Sequence, residues 1–218
     1  SRFESWRSHK AVIERLPLIF SIYHKFCIDT HNNTISQDMK QPTTIEELIC
    51  WSYANLAMAH SAISQGATKY GRIDFMIRAR LYKGLINKTM NMGSLIDDEK
   101  EKLKAGCCCA YCGTTEQLSV DHLIPQIKGG ANSADNSVFA CRRCNSSKGG
   151  LDLFEWYNKR ESFPPLLIVR RYLKIVYLYC EINNLLEQKL EEVDISSLPF
   201  RLDLIPTDYP EPSKLSLQ

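Results

Sequence analysis

The sequence predicts a mainly α protein that carries one small β-containing module clamped by cysteines. Three observations predict it. Apolar residues recur at helical spacing through the first hundred positions. At Cys107 the texture changes to short β-compatible runs around a loop rich in Gly, Asn and Ser. Two C-x-x-C pairs bracket that stretch.

Composition sets the outer limits. The 218 residues are 44% hydrophobic and 24% charged, as in an ordinary globular protein with a core that needs no disulfide staples. With 27 Lys and Arg against 25 Asp and Glu, the net charge of +2 excludes a bulk polycation but not a local basic surface. No apolar run approaches the ~20 residues of a membrane span, and no leader pattern opens the chain. Nine cysteines, an odd number, suit a reduced compartment and metal binding better than disulfides, so the expectation is a cytoplasmic protein with no membrane partner.

The elements follow in order. Residues 1–105 are expected to form a helical N-terminal region. Val12, Ile13, Leu16, Leu18, Ile19, Ile22 and Phe26 have helical spacing across 10–27, bent or broken at Pro17. Residues 28–42 are polar and aperiodic. Thr43 with Glu46 and Thr44 with Glu47 form two overlapping capping boxes for a helix ending at Gly66. A third helix is expected over 72–88, with Ile73, Met76, Ile77, Leu81 and Leu85 interleaved with basic residues, and a short charged one over 95–104. Residues 106–160 make up the cysteine-bracketed module: β-compatible runs at 117–122 and 137–140, then a helix over 145–159. Pro164-Pro165 opens a C-terminal helix through about 189, within 161–190. Residues 191–218 hold six acidic side chains, two basic ones and four prolines, which leaves an excess of six positive charges on 1–190. This acidic tail cannot be one long helix. It is expected to lie extended on the body or stay mobile, the alternative being an electrostatic mimic covering a basic site.

Cys109-Ala-Tyr-Cys112 and Cys141-Arg-Arg-Cys144 are separated by 28 residues. Two residues between thiols let both grip one ion from a tight turn, and two such knuckles complete a tetrahedral zinc shell. A chance pairing or a redox couple is the alternative, but the thioredoxin-like pattern that surrounds a redox C-x-x-C is absent. Four thiolates close the shell, so this zinc is structural. Cys107 and Cys108 raise a question of register, but only Cys109 has a cysteine three residues on. Cys27, Cys50 and Cys180 fall in helical runs and read as buried thiols.

Between the brackets lies Asp121-His122-Leu123-Ile124-Pro125, followed by Gly129-Gly130, Asn136 and Cys144-Asn145-Ser146-Ser147-Lys148-Gly149. A lone histidine is more often structural than catalytic. Here an acid precedes it on a strand, which sends adjacent side chains to opposite faces. One can hold a cation while the other takes a proton. Asn145 follows the last cysteine, so the zinc fixes where its helix starts. A carboxylate and an amide oxygen make a sparse site that suits Mg²⁺ shared with a substrate phosphate.

The region resembles the HNH endonucleases, the ββα-metal nucleases, in the subtype with a zinc-bound four-cysteine frame. Cys109, Tyr111, Cys112, Asp121, His122, Pro125, Gly129, Gly130, Asn136, Cys141, Cys144, Asn145, Lys148 and Gly149 carry the resemblance across 109–150. One departure is Asn145, where the family often has His. Asn also occurs there in active members, the HNH domain of RNA-guided CRISPR nucleases among them. The resemblance implies a mainly α chain around a ββα-metal module and a metal-dependent endonuclease that hydrolyses phosphodiesters in DNA. Catalytic roles fall to His122 as general base, Asp121 and Asn145 as ligands of a catalytic Mg²⁺ or Mn²⁺, and Asn136 as the family's middle asparagine. Asn136 more readily pins the loop between the strands than touches metal. Lys148 either contacts a phosphate or covers the helix start.

Arg78, Arg80, Arg142, Arg143, Arg170, Arg171 and Lys148 are candidate nucleic-acid contacts; solvated helix faces are the competing reading of each. The helical extension ending in Arg170-Arg171-Tyr172-Leu173-Lys174 resembles those on bacterial HNH proteins of restriction or phage-defence type. The alternative function is a zinc-knuckle module that binds nucleic acid without cutting it, which would have no need of Asp121-His122 beside Asn145. A homodimer or an activating protein partner is compatible with either.

Overall fold

The computed structural model describes residues 41–95 and 107–217. The helix expected over 10–27, Cys27 and nearly all of the short helix expected over 95–104 lie outside the described residues.

The first described helix, α1, spans Ile45–Ser64. Thr44 caps it by accepting the Glu47 amide at 3.2 Å, while the Glu47 carboxylate reaches back to the Thr43 amide at 2.7 Å. The two overlapping boxes of the sequence thus resolve into one, shifted by a residue at its acidic arm. α1 ends in a turn at Gly66, whose φ of +68° is a conformation that glycine adopts without strain. Helix α2, Arg72–Ile86, packs back on α1. Its Gly84 lies against Met90, and a Cβ there would meet the Met90 sulfur at 2.6 Å.

The module follows. Strand β1 (Leu118–His122) pairs antiparallel with β2 (Ser137–Cys141), with Asp121 opposite Val138 and Val120 opposite Phe139. Helix α3, Arg142–Lys148, starts directly at the end of β2 and packs across both strands. The single helix expected over 145–159 is two. Gly149, at φ +51°, and Gly150 end α3, and Asp152 caps a new helix α4, Leu153–Asn158, by accepting the Phe154 amide at 2.9 Å.

Helix α5 spans Leu166–Ile182 and supplies Val169, Tyr172, Leu173 and Val176 to the core. It stops at Ile182, not near 189. Asn183 caps it and Asn184 turns the chain at φ +56°, after which Lys189 bridges to Thr44.

The acidic C-terminal segment lies on the body. It runs in short 3₁₀ turns and buries Phe200, Leu202, Ile205 and Tyr209. The Thr207 carbonyl accepts from Trp51 Nε1 and Asn55 Nδ2 of α1, at 2.8 and 2.7 Å. The Ser216 and Leu217 carbonyls take the Leu166 and Leu167 amides, two of the donors a helix start leaves open. Its composition is acidic, but its apolar residues recur often enough to pack. The fold is mixed: a small β-hairpin with a cysteine cluster amid helices.

Candidate metal centre and nuclease site

The four cysteines converge. The sulfurs of Cys109, Cys112, Cys141 and Cys144 all lie within 4.8 Å of one another, with Cys112 and Cys141 at 3.8 Å. Four ligands at about 2.3 Å from a tetrahedral zinc have edges of about 3.8 Å, so the cluster fits that ion. The first knuckle is closed by the Gly113 amide donating to the Cys109 carbonyl at 2.8 Å, with Gly113 at φ +77°. The second is the start of α3, where the Cys144 amide donates to the Cys141 sulfur at 3.4 Å. That amide, placed at a helix start, pulls the Cys141 thiol down to about 7, while burial pushes Cys144 and Cys112 up. Cys107 is exposed, and Cys50 and Cys180 are buried thiols pushed up to about 12 by desolvation.

At the end of β1, alternation turns Asp121 inward against α3 and leaves His122 half-buried on the other face. His122 Nε2 stands 3.3 Å from Asn132 Oδ1 in the loop between the strands. Asp121 is buried and already engaged. Its Oδ2 accepts the Tyr111 hydroxyl at 2.6 Å, and the Lys148 ammonium lies 3.2 Å from Oδ2 and 3.4 Å from Oδ1. Lys148 also donates to the His122 carbonyl at 2.7 Å. Burial pushes the Lys148 pKa down and the Asp121 charge pulls it back up. Tyr111, between the two cysteines of the first knuckle, is pushed well above its ordinary value by burial and by Asp121.

Asn145 Nδ2 donates to Ser119 Oγ at 2.9 Å and to the Val120 carbonyl at 3.2 Å, which ties α3 to β1 and turns the amide oxygen away from those bonds. One carboxylate and one amide oxygen are the hard donors that a small divalent cation takes. Asn136 sits apart from this group. It is 1% exposed, its Oδ1 accepts the Ile124 amide, and its Nδ2 donates to the Ile124 and Ala131 carbonyls, all at 2.8 Å.

The cations expected on a nucleic-acid path divide. Arg142 and Arg143, at the start of α3, and Arg80 on α2 are exposed. Lys148 is fully buried and directed at Asp121, so it is not a surface phosphate contact. Arg171 is 3% exposed and donates to the Asp135 and Ala134 carbonyls at 2.6 and 2.8 Å, so it pins the hairpin loop to α5. Arg78 stacks over Trp51 at 4.6 Å and Phe75 at 5.1 Å and donates to Asn55 Oδ1 at 3.2 Å. Arg170, half-buried on α5, is near enough to His60 to join burial in lowering its pKa.

Sequence reasoning missed three groups. Tyr111 was visible as a knuckle residue, but its bond to Asp121 was not. Asn132 is one polar residue in a polar loop, with no pattern to mark it. Asp152, buried at the start of α4, accepts from Tyr172 at 2.5 Å and from the Arg201 amide at 3.4 Å; only its place after Gly149-Gly150 hinted at a cap.

Residues 109–151 match the HNH endonuclease family. This module is an HNH-family module with a four-cysteine cluster able to hold a metal. Among curated proteins the chain is similar to the CRISPR-associated endonuclease Cas9 of Corynebacterium diphtheriae (strain ATCC 700971 / NCTC 13129 / Biotype gravis). They are 39% identical over 57 residues, which cover 24% of this chain and 5% of that protein. No solved structure matches the chain. No helix of the described residues is long and apolar enough to cross a membrane.

Proposed function

We propose that the chain is a metal-dependent endonuclease that hydrolyses phosphodiester bonds in DNA, with a structural zinc and a catalytic Mg²⁺ or Mn²⁺. The observation that carries this is the junction of β1 and α3: adjacent Asp121 and His122 end the strand, and Asn145 is bonded to that same strand by a helix that starts at the cysteine cluster. The family match over 109–151 and the similarity to a protein named as an endonuclease support it.

A bound divalent ion supplies charge stabilisation to the scissile phosphate and its leaving oxygen. The Asp121 carboxylate and the Asn145 amide oxygen would hold it. His122, on the opposite face from Asp121, takes the proton of the attacking water at an imidazole nitrogen. Asn132 Oδ1 orients that ring through its contact with Nε2. Asn136 keeps the loop between the strands in place. Arg142 and Arg143, exposed beside the cluster, track the DNA backbone. One such site cuts one strand at a time, so a double-strand break takes two copies or two events.

Incubating the zinc-loaded protein with supercoiled plasmid tests the reading. Nicked circles with Mg²⁺ or Mn²⁺, and none with the divalent ion withheld, are expected. A zinc-knuckle binder would shift the plasmid's mobility in a gel without nicking it under any metal.

A further inference from the structure

Lys148 is a fully buried cation for which the proposed mechanism has no chemical step. Its ammonium spans both Asp121 oxygens at 3.2 and 3.4 Å and is fixed on the far side by the His122 carbonyl at 2.7 Å. Tyr111 holds Asp121 Oδ2 from the first knuckle at 2.6 Å, so the carboxylate is gripped from two elements. Both cysteine knuckles therefore lead to this one carboxylate, the first through Tyr111 and the second through α3 and Lys148. The consequence is a charge balance. Asp121 contributes one negative charge, Lys148 one positive, and Asn145 none. A divalent ion entering this group meets no net negative charge from these side chains, and a cation a few ångströms away repels it.

We propose that Lys148 is a positioning residue that neutralises Asp121 and so makes tight binding of the catalytic ion depend on the phosphate of bound DNA. This rests on the reading of Asp121 as an ion ligand. The free protein holds the ion weakly. Nucleic acid brings the missing negative charge, and ion and substrate enter the site together, as suits Mg²⁺, which shares its shell with substrate phosphates. Metal-dependent cutting is then confined to complexes already formed on DNA.

The test is Mn²⁺ binding, followed by the loss of the free-ion paramagnetic resonance signal, on zinc-loaded full-length protein. Lys148→Gln removes the charge and keeps a donor for the His122 carbonyl. Without DNA it should bind Mn²⁺ at least about tenfold more tightly than the parent, and Lys148→Arg should match the parent. In a His122→Ala background, adding duplex DNA should tighten Mn²⁺ binding at least about tenfold, with or without any Lys148 variant in hand. Zinc content measured on each sample shows whether a variant is folded. If Lys148→Gln fails to hold zinc, the DNA-dependence decides alone. Folded Lys148→Gln binding Mn²⁺ no more tightly than the parent, or DNA leaving the affinity unchanged, would overturn the proposal. Asp121→Asn should lose Mn²⁺ binding in every condition. If it binds like the parent with DNA present, the assignment of Asp121 as ligand fails as well, a separate outcome from failure of the charge argument alone.

Discussion

Asn136 and Asn145 show how the same residue type serves two ends in one module. Asn136 spends its side-chain oxygen and both side-chain amide hydrogens on Ile124 and Ala131, out of contact with solvent. Asn136→Ala leaves the Ile124 amide and carbonyl buried without partners, at about 1–3 kcal/mol for each such group. Denaturant unfolding should therefore report a loss on the order of 2–6 kcal/mol, with zinc still bound at neutral pH. Asn145 commits only its amide nitrogen, to Ser119 and Val120, and Asn145→Ala should lower stability less while raising the Mg²⁺ concentration needed for cutting. Unchanged metal dependence in Asn145→Ala would remove it from the ligand set. The sequence distinguished the two because one follows a cysteine at a helix start and the other sits in a Gly/Asn/Ser-rich loop. Alternation along β1 likewise placed Asp121 and His122 on opposite faces. Illegible were the partners: that Lys148 would be buried against Asp121, or that Arg171 would end on loop carbonyls, depends on how α3 and α5 pack across residues far away in the chain.

At the scale of elements, the cysteine cluster joins parts that are each short. The β1–β2 hairpin has two strands of five residues and α3 has seven, too little to stand without support. Zinc bound to four thiolates contributes on the order of 10 kcal/mol to such a unit. Stripping it should erase amide-exchange protection in 107–151 while α1 and α2, packed on each other and on the C-terminal segment, keep theirs. Uniform loss of protection would mean that the helices depend on the module. The C-terminal segment makes the opposite point. Its acidic, proline-rich sequence allowed a tail lying on the body or left mobile, and it takes the first course: Phe200 is 1% exposed against Tyr179, and the Thr207 carbonyl takes two donors from α1. Composition left the choice open because apolar residues spaced by prolines match neither helix nor strand. Phe200→Ala should cost about 3–5 kcal/mol in denaturant unfolding, as expected for a buried aromatic and not for a loose tail. Helix ends were legible where a cap was local, as at Thr44. The break between α3 and α4 was missed because Gly149-Gly150 interrupts an otherwise helical pattern.

For the molecule as a whole, the helices present the HNH module with Arg142 and Arg143 outward and Arg171 built into the support. Arg142→Gln with Arg143→Gln should flatten the salt dependence of DNA binding by about one unit of slope per lost phosphate contact, whereas Arg171→Gln should lower stability and leave the slope alone. An unchanged slope in the double variant would place both arginines on a merely solvated surface. The function proposed for this assembly is DNA cleavage with His122 as the base. It is tested most directly by comparing the parent with His122→Ala in single-turnover nicking of supercoiled plasmid under saturating Mg²⁺, with equal zinc content in both. A rate lower by about 10²–10⁴-fold is expected in His122→Ala with DNA binding retained. Nicking by His122→Ala at the parental rate would contradict it.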